Sequence, residues 1–389
     1  MSAKIVGYAR TPFVKFNGVF ANVPATELGA HAAKAALERA GVDPKEVEQV
    51  IVGQVLQGAA GQNPARQSAV GAGIPLNVPS IAVNAVCLSG AEAVVAGARL
   101  INSGEADVVL AIGQESMTLA PHAQRARAGV KYGAIEMIDT MAHDGLTDAA
   151  EKRSMGASTE EHNGELSITR ESQDKIAAQS HQKAAASREF TAGEIAPFTV
   201  TTRKSETTYS EDDGIRDTTT VETLAKLRPS FSKDGTITAG NSSQITDGAA
   251  AVVLASDAAI KRLGLTASAE IVSHAFVAGP GRTLHEQPSN AIAAALQKAG
   301  EKAENLKAVE INEAFTAVVV ESTKLLGINE SIVNQHGGAT ALGHPIGASG
   351  ARIIGTLARQ LQELPAGSLG AIGICGGGGQ GTAVLLRSL

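Results

Sequence analysis

The sequence predicts an α/β protein built from two similar halves with a polar segment inserted between them. Short apolar runs alternate with helix-like stretches in the first third of the 389 residues and again after Glu270, the pattern of βαβ units around a buried, partly parallel sheet. From about Met117 to Asp247 the texture turns polar and charge-rich, as an insertion would. The tripeptide Ser-Gly-Ala opens two apolar helical stretches, at Ser89-Gly90-Ala91 and at Ser349-Gly350-Ala351, and each carries an Ala-Arg pair further on (Ala98-Arg99, Ala358-Arg359).

Taken in order, Lys4–Arg10 reads as a strand and Thr26–Ala40 as a helix with Leu28, Ala32 and Leu37 on one side. Val50–Val55, Ile81–Val86 and Asp107–Gly113 are apolar runs of strand length, with helical stretches at Pro64–Gly71 and Gly90–Asn102 among them. The insertion holds a helix-like run, Arg170–Glu189, and two stretches of little periodicity, Arg125–Gly133 and Thr201–Thr219. Strand candidates return at Ala308–Ile311, Ala371–Ile374 and Ala383–Leu386, with a helix over Gly350–Leu361. The expected domains are a first core half over 1–117 plus 248–267, an inserted domain over 118–247 and a second core half over 268–389.

Apolar residues make up 43%, enough for a sizeable core, and 33 Lys and Arg against 39 Asp and Glu leave a net charge of −6, which argues against nucleic-acid binding. The 42 glycines are about 11% of the chain against a typical ~7%, which suits close backbone packing and buried interfaces. No apolar run approaches the ~20 residues that span a bilayer, and Met1–Val6 lacks the apolar stretch of a secretion signal, so a cytoplasmic protein is expected. Two cysteines are too few for a disulfide scaffold or a four-thiolate zinc site, and no metal site is expected.

Chemistry concentrates at a few strand ends and helix starts. Cys87, in Asn84-Ala85-Val86-Cys87-Leu88-Ser89-Gly90, precedes an apolar helix. A thiol there meets the positive end of the macrodipole, which favours thiolate; a buried free cysteine acting as a small hydrophobe is the other reading. His344 is held between Gly343 and Pro345 in a sharp turn into the second Ser-Gly-Ala helix. That is the rigid mounting of a general base, and equally of a histidine bonded to turn backbone. Cys375 precedes Gly376-Gly377-Gly378-Gly379, whose N–H groups suit an oxyanion or form a plain turn; the lysine of a phosphate loop is absent. Asn312, in Asn312-Glu313-Ala314-Phe315, follows a strand and fits an oxyanion holder as well as turn chemistry. Together they imply acyl transfer through a cysteine thioester, with the histidine as base and the glycine loop as oxyanion hole.

These motifs, in this order, resemble the thiolases, and specifically the acetyl-CoA acetyltransferase branch. The resemblance covers the whole chain, through Arg10–Phe13, Gly61–Gln67, Asn84–Gly90, Glu115–Met117, Lys226–Pro229, Gly240–Ala250, Asn312–Phe315, Gly337-Gly338, Gly343–Gly350 and Cys375–Gly379. It implies a duplicated five-layer α-β-α-β-α core with a loop domain inserted in the first half, and interconversion of two acetyl-CoA with acetoacetyl-CoA plus coenzyme A. Cys87 would carry the acyl group, activated by His344, and Cys375 would move the proton at the acetyl methyl. Asn312 and His344 would hold the enolate oxygen, and the N–H groups of Cys87 and Gly377 the tetrahedral oxyanion. Ser243 would touch the pantetheine arm, Arg216 the 3′-phosphate, and Phe231, Met155 and Phe315 would line the pantetheine and acyl pocket. Coenzyme A and acyl-CoA are implied as substrates, with no resident cofactor. The loop Arg125–Gly133 would assemble a homotetramer, a dimer of dimers.

The sequence departs from the family's short-chain pattern at three places. Ser154 stands where those enzymes usually carry histidine, Phe276 matches a methionine that helps close the acyl pocket, and Asn241-Ser242-Ser243-Gln244 is similar to 3-ketoacyl-CoA and sterol-side-chain thiolases. These leave a degradative thiolase of longer acyl chains as the alternative. A thiolase-like lipid-binding protein without turnover would be expected to lose one or more of Cys87, His344, Cys375 and Asn312. A β-ketoacyl synthase would carry a second histidine where Cys375 stands.

Overall fold

The computed structural model describes residues 2–389. In the first half, β1 (Lys4–Arg10), β2 (Gln49–Gly53), β3 (Ser80–Val83), β4 (Val108–Glu115) and β5 (Thr246–Ala255) lie in the order β3-β2-β4-β5-β1. β2 runs parallel to β3 and β4, and β5 is antiparallel to β4 and β1. The second half repeats this with β6 (Ala269–Ala278), β7 (Leu306–Ile311), β8 (Leu369–Gly376) and β9 (Gln380–Ser388) in the order β7-β8-β9-β6. Here β7 is parallel to β8, and β9 is antiparallel to β8 and β6. A parallel bridge from Val309 to Val333 stands where β3 would. The sheets join where Lys4 and Ile5 pair with Glu270 and Ala269.

The main helices are α1 (Ala25–Ala40), α2 (Pro64–Gly71), α3 (Ser89–Ser103), α4 (Met155–Glu165), α5 (Arg170–Ala186), α6 (Gln287–Ala299), α7 (Thr316–Leu326) and α8 (Ser349–Leu361). Leu28, Ala32, Ala36 and Ala69 pack α1 and α2 on the outer face of the first sheet, and Ile292, Leu296 and Val318 pack α6 and α7 on the outer face of the second. Between the sheets, Val94, Val95 and Ile101 of α3 meet Ile353, Ile354 and Leu357 of α8. The result is the five-layer α-β-α-β-α core. The two Ser-Gly-Ala helices cross glycine to glycine: a Cβ on Gly350 would stand 2.3 Å from Ala91 N, and one on Gly90 2.7 Å from the Gly347 carbonyl. Only glycine permits that approach, so the repeated tripeptide marks the crossing of the central layer.

The segment between β4 and β5 carries α4, α5 and a hairpin of Phe198–Thr201 with Glu206–Tyr209. It is fastened to the core by Arg10, fully buried at the end of β1, whose guanidinium donates to Glu194 (2.9 Å) and to both oxygens of Asp212 (2.7 and 2.8 Å). A buried charge is tolerable only with such complete pairing.

Several elements differ from expectation. The strand expected over Ile81–Val86 ends at Val83, freeing Asn84–Leu88 as a turn. The helix expected over Arg170–Glu189 is interrupted at Ser187, whose φ of −104° and ψ of 22° fall outside helical values. The aperiodic stretch Thr201–Thr219 contributes a strand, Glu206–Tyr209. Strands β5 and β6 lie in segments where no strand was expected; β5 is buried along its whole length and rich in alanine, so it shows no alternation to read. No helix of the described residues is long and apolar enough to cross a membrane.

Candidate active site

The two halves bring their β-to-α turns face to face. Cys87 sits in the turn before α3, directly after Val86, a β-branched residue held at a φ of +52°. Such backbone is strained and persists only where its surroundings impose it. Asn84 Oδ1 accepts from Val86 N–H (3.0 Å), while Ser89 Oγ accepts from Ala85 N–H (2.9 Å) and donates to the Val86 carbonyl (2.6 Å).

The equivalent turn of the second half carries His344. Gly343 at φ +104° sets its entry, where a Cβ would lie 2.3 Å from Thr246 Oγ1, and His344 N–H donates to that hydroxyl (3.0 Å). Ser349, the counterpart of Ser89, donates to the Pro345 carbonyl (3.0 Å) and lies 2.5 Å from His344 Nδ1. With its proton directed to Pro345, Ser349 Oγ accepts from Nδ1–H, so Nε2 keeps its lone pair. That atom is buried without a hydrogen-bond partner among the described residues, the state a general base requires.

Cys375 is buried near the end of β8, opposite Gly381. The glycines after it form the β8–β9 hairpin, with Gly378 and Gly379 at φ of +82° and +70°, and not an open loop. This hairpin lies on the nucleophile turn: a Cβ on Gly376 would meet Leu88 at 2.7 Å, and one on Gly377 would meet Val86 at 3.5 Å and Met155 Sδ at 3.7 Å. Burial pushes the Cys87 thiol up to about 12, against hydrogen bonds from its own N–H and that of Gly377, and nearby Glu115 adds to the rise. Cys375 is likewise raised by burial and then by the neighbouring Cys87. Burial, reinforced by the Arg352 charge, lowers His344 to about 3. At neutral pH the trio is therefore thiol, thiol and neutral imidazole. Asn312 is fully buried after β7, its N–H on the Gly373 carbonyl (3.0 Å) and both side-chain polar atoms without a partner among the described residues.

A cleft of about 480 Å³ leads to this point, lined by His344 and by all five residues expected to hold coenzyme A: Met155, Arg216, Phe231, Ser243 and Phe315. Phe231 and Phe315 meet edge to face at 6.1 Å. Gly156 makes room for Phe231, since a Cβ there would stand 2.2 Å from its ring. Ser243 Oγ donates to the Ala314 carbonyl (3.0 Å), and Arg216 is exposed at one side. Cys87, Cys375, Asn312 and Gly377 are not part of the cleft wall. Cys87 adjoins it through a shared apolar cluster that includes Met117, Leu146, Ile245 and Ile346, all of which line the cleft. Phe276 does not close the pocket: it is 45% exposed on β6, while its neighbour Ala275 faces the core. Sequence reasoning saw Ser89 and Ser349 only as a repeat; their equal spacing from the two turns was the signal of their positioning role.

A duplicated five-layer core with paired cysteines and a histidine at the crossing of its halves defines a class of acyl-transfer folds, and the comparisons say which one. Residues 3–258 match the thiolase N-terminal domain and residues 265–388 the thiolase C-terminal domain. The chain belongs to the thiolase family. It is 50% identical to a probable acetyl-CoA acetyltransferase of Mycolicibacterium smegmatis, over 98% of this chain and 100% of that one. It is 46% identical to the acetyl-CoA acetyltransferase of Rhizobium meliloti, over 100% and 99%. The crystal structure of a Bacillus anthracis acetyl-CoA acetyltransferase superposes with a TM-score of 0.95 at 35% identity, covering 100% of this chain and 99% of that one. Human mitochondrial 3-ketoacyl-CoA thiolase gives the same TM-score at 38% identity and the same coverage.

Proposed function

We propose that this thiolase is an acetyl-CoA C-acetyltransferase, an acyltransferase that condenses two acetyl-CoA to acetoacetyl-CoA plus coenzyme A and catalyses the reverse thiolysis. What supports the reading is that Cys375 and the Gly377 N–H bear on Cys87, whose apolar surroundings include Ile346 and Met117 of the cleft that His344 lines. Full-length relatives bearing that activity's name support the substrate.

Cys87 Sγ attacks the thioester carbonyl as its proton passes to His344 Nε2, and the N–H groups of Cys87 and Gly377 receive the oxyanion. The carbon–sulfur bond to coenzyme A breaks, and Cys375 protonates the departing sulfur. This leaves acetyl-Cys87, an imidazolium and a Cys375 thiolate. That thiolate takes a methyl proton from the second acetyl-CoA, and His344 and Asn312 hold the enolate oxygen. The enolate carbon attacks acetyl-Cys87, and the Cys87 sulfur leaves with the proton returned by His344. Two acetyl-CoA thus give acetoacetyl-CoA and coenzyme A, with all three groups restored.

Ser243, Phe231, Met155 and Phe315 hold the pantetheine arm and acyl group, and Arg216 pairs with the 3′-phosphate. Coenzyme A is substrate and product, without a resident cofactor. The protein is a cytoplasmic homotetramer. Supporting assembly are the loop tip, where Tyr132 is 99% exposed and Ile135 58%, and the open sheet edge at β3, where Ile81 is 46% exposed. The test is coenzyme A-dependent cleavage of acetoacetyl-CoA beside a medium-chain 3-ketoacyl-CoA. Preference for the first is expected; preference for the second would move the enzyme to degradation of longer chains.

A further inference from the structure

Glu115, the last residue of β4, is fully buried, and no Lys, Arg or His of the described residues forms an ion pair with it. Its carboxylate is held instead by three peptide N–H groups from two separate turns. Oε2 accepts from Val55 (3.0 Å) and from Gly347 (3.0 Å), and Oε1 accepts from Leu56 (3.1 Å). Val55 and Leu56 follow β2 and form part of the apolar wall around Cys87. Gly347 lies between His344 and Ser349, on the turn that mounts the imidazole. That turn has no slack: a Cβ on Gly347 would stand 2.5 Å from the Gln114 carbonyl and 2.8 Å from Glu115 Oε2. An unpaired buried carboxylate is costly, and this one is offset by the three peptide N–H groups it satisfies, which an apolar side chain would leave without an acceptor.

We propose that Glu115 is the positioning residue of the site, a single carboxylate that clamps the His344 turn to the wall beside Cys87 and so fixes base against nucleophile. The inference rests on the roles proposed for those two residues. The titratable groups around Glu115 are Cys87 on its turn and Asp247 at the start of β5, with Asp213 behind it; Arg352 of α8 bears on His344. Burial pushes the Glu115 carboxyl up to about 7, against the pull of its three N–H partners and with Asp247 adding to the rise. In its ionised form it opposes a Cys87 thiolate, so the thiol keeps its proton until His344 takes it during acylation.

Two full-length variants separate clamp from charge. Glu115→Gln keeps an oxygen for Val55 and Gly347, loses the acceptor of Leu56 N–H and removes the charge; Cys87 should then react with iodoacetamide faster than in the parent at pH 8, from loss of a neighbouring charge. Glu115→Asp keeps the charge but falls short of both turns; kcat for thiolysis should fall roughly 10²-fold, as misplacement by about 1 Å does, with KM nearly unchanged and the alkylation rate as in the parent. A purely structural carboxylate would lower thermal stability in both variants without this split. Folded variants with parental kcat and alkylation rate would overturn the proposal. Should neither fold, amide exchange in the parent decides it: slow exchange at Val55, Leu56 and Gly347 supports the clamp, and exchange at the rate of free peptide overturns it. If alkylation of Cys87 in the parent leaves thiolysis intact, the reading of the site has failed and not the clamp alone.

Discussion

Replacing Gly350 by alanine tests whether the crossing of the central helices sets the catalytic geometry. The added Cβ would lie 2.3 Å from Ala91 N and 2.8 Å from Ala91 Cβ, both immobile parts of α3. Relief to an ordinary contact of 3.4 Å needs 3.4 − 2.3, about 1.1 Å, of separation between α3 and α8. No rotamer change can supply it, because the clash is with backbone. Overpacking of this kind costs about 1–3 kcal/mol. The nucleophile turn leads into α3 and the histidine turn into α8, so the same movement parts Cys87 from His344. A displacement of about 1 Å at reacting groups costs roughly 10²-fold in rate. Single-turnover acetylation of the enzyme by acetyl-CoA, measured beside a thermal melt, reads both effects. Gly164→Ala, an exposed site of α4 with no neighbour within 4 Å, is the control and should leave the acylation rate unchanged and the melting temperature the same or slightly raised. A Gly350→Ala protein with parental acylation rate and melting temperature would refute the coupling of helix crossing to catalysis.

Cys87→Ala should abolish formation of the acyl-enzyme, whereas Cys375→Ala should still acylate but fail to condense, as followed by enzyme-bound label from acetyl-CoA and by acetoacetyl-CoA release. Because burial raises the Cys87 thiol to about 12, its alkylation by iodoacetamide should climb about tenfold per pH unit from 7 to 10 without a plateau; a plateau near pH 7 would mean a preformed thiolate. Ser349→Ala should lower kcat about 10-fold or more with KM little changed, since Nδ1 of His344 loses the partner at 2.5 Å that fixes its tautomer. Arg216→Ala should raise the KM for acetyl-CoA several-fold, an effect that vanishes with 3′-dephospho-CoA thioesters and weakens in high salt, since a guanidinium–phosphate bond at an exposed site is screened.

The parts of the fold legible in the sequence were those with one-sided burial or marked ends. α1 shows its apolar side at Leu28, Ala32 and Leu37, and α3 and α8 are announced by Ser-Gly-Ala. β5 was not legible because it is buried on both faces and opens with Thr-Asp-Gly and three alanines, which signal no strand. In the site, Cys87 was legible because it stands at a strand end before an apolar helix, and His344 and Cys375 because each stands at a turn or strand end beside glycine or proline, where chemistry is mounted on rigid backbone. The three N–H bonds of Glu115 were not, since they join residues 59, 60 and 232 positions apart. Phe276 misled because position along a strand does not fix facing without the register: paired with Thr382 of β9, it shares the sheet face that meets α3 and is 45% exposed there.

The most direct test of the account is mass spectrometry of the protein after brief exposure to acetyl-CoA, followed by peptide mapping. The account predicts one acetyl group per chain, on the peptide carrying Cys87, discharged by added coenzyme A. Acetylation at Cys375 or elsewhere, or turnover by Cys87→Ala without any trapped acetyl group, would contradict it.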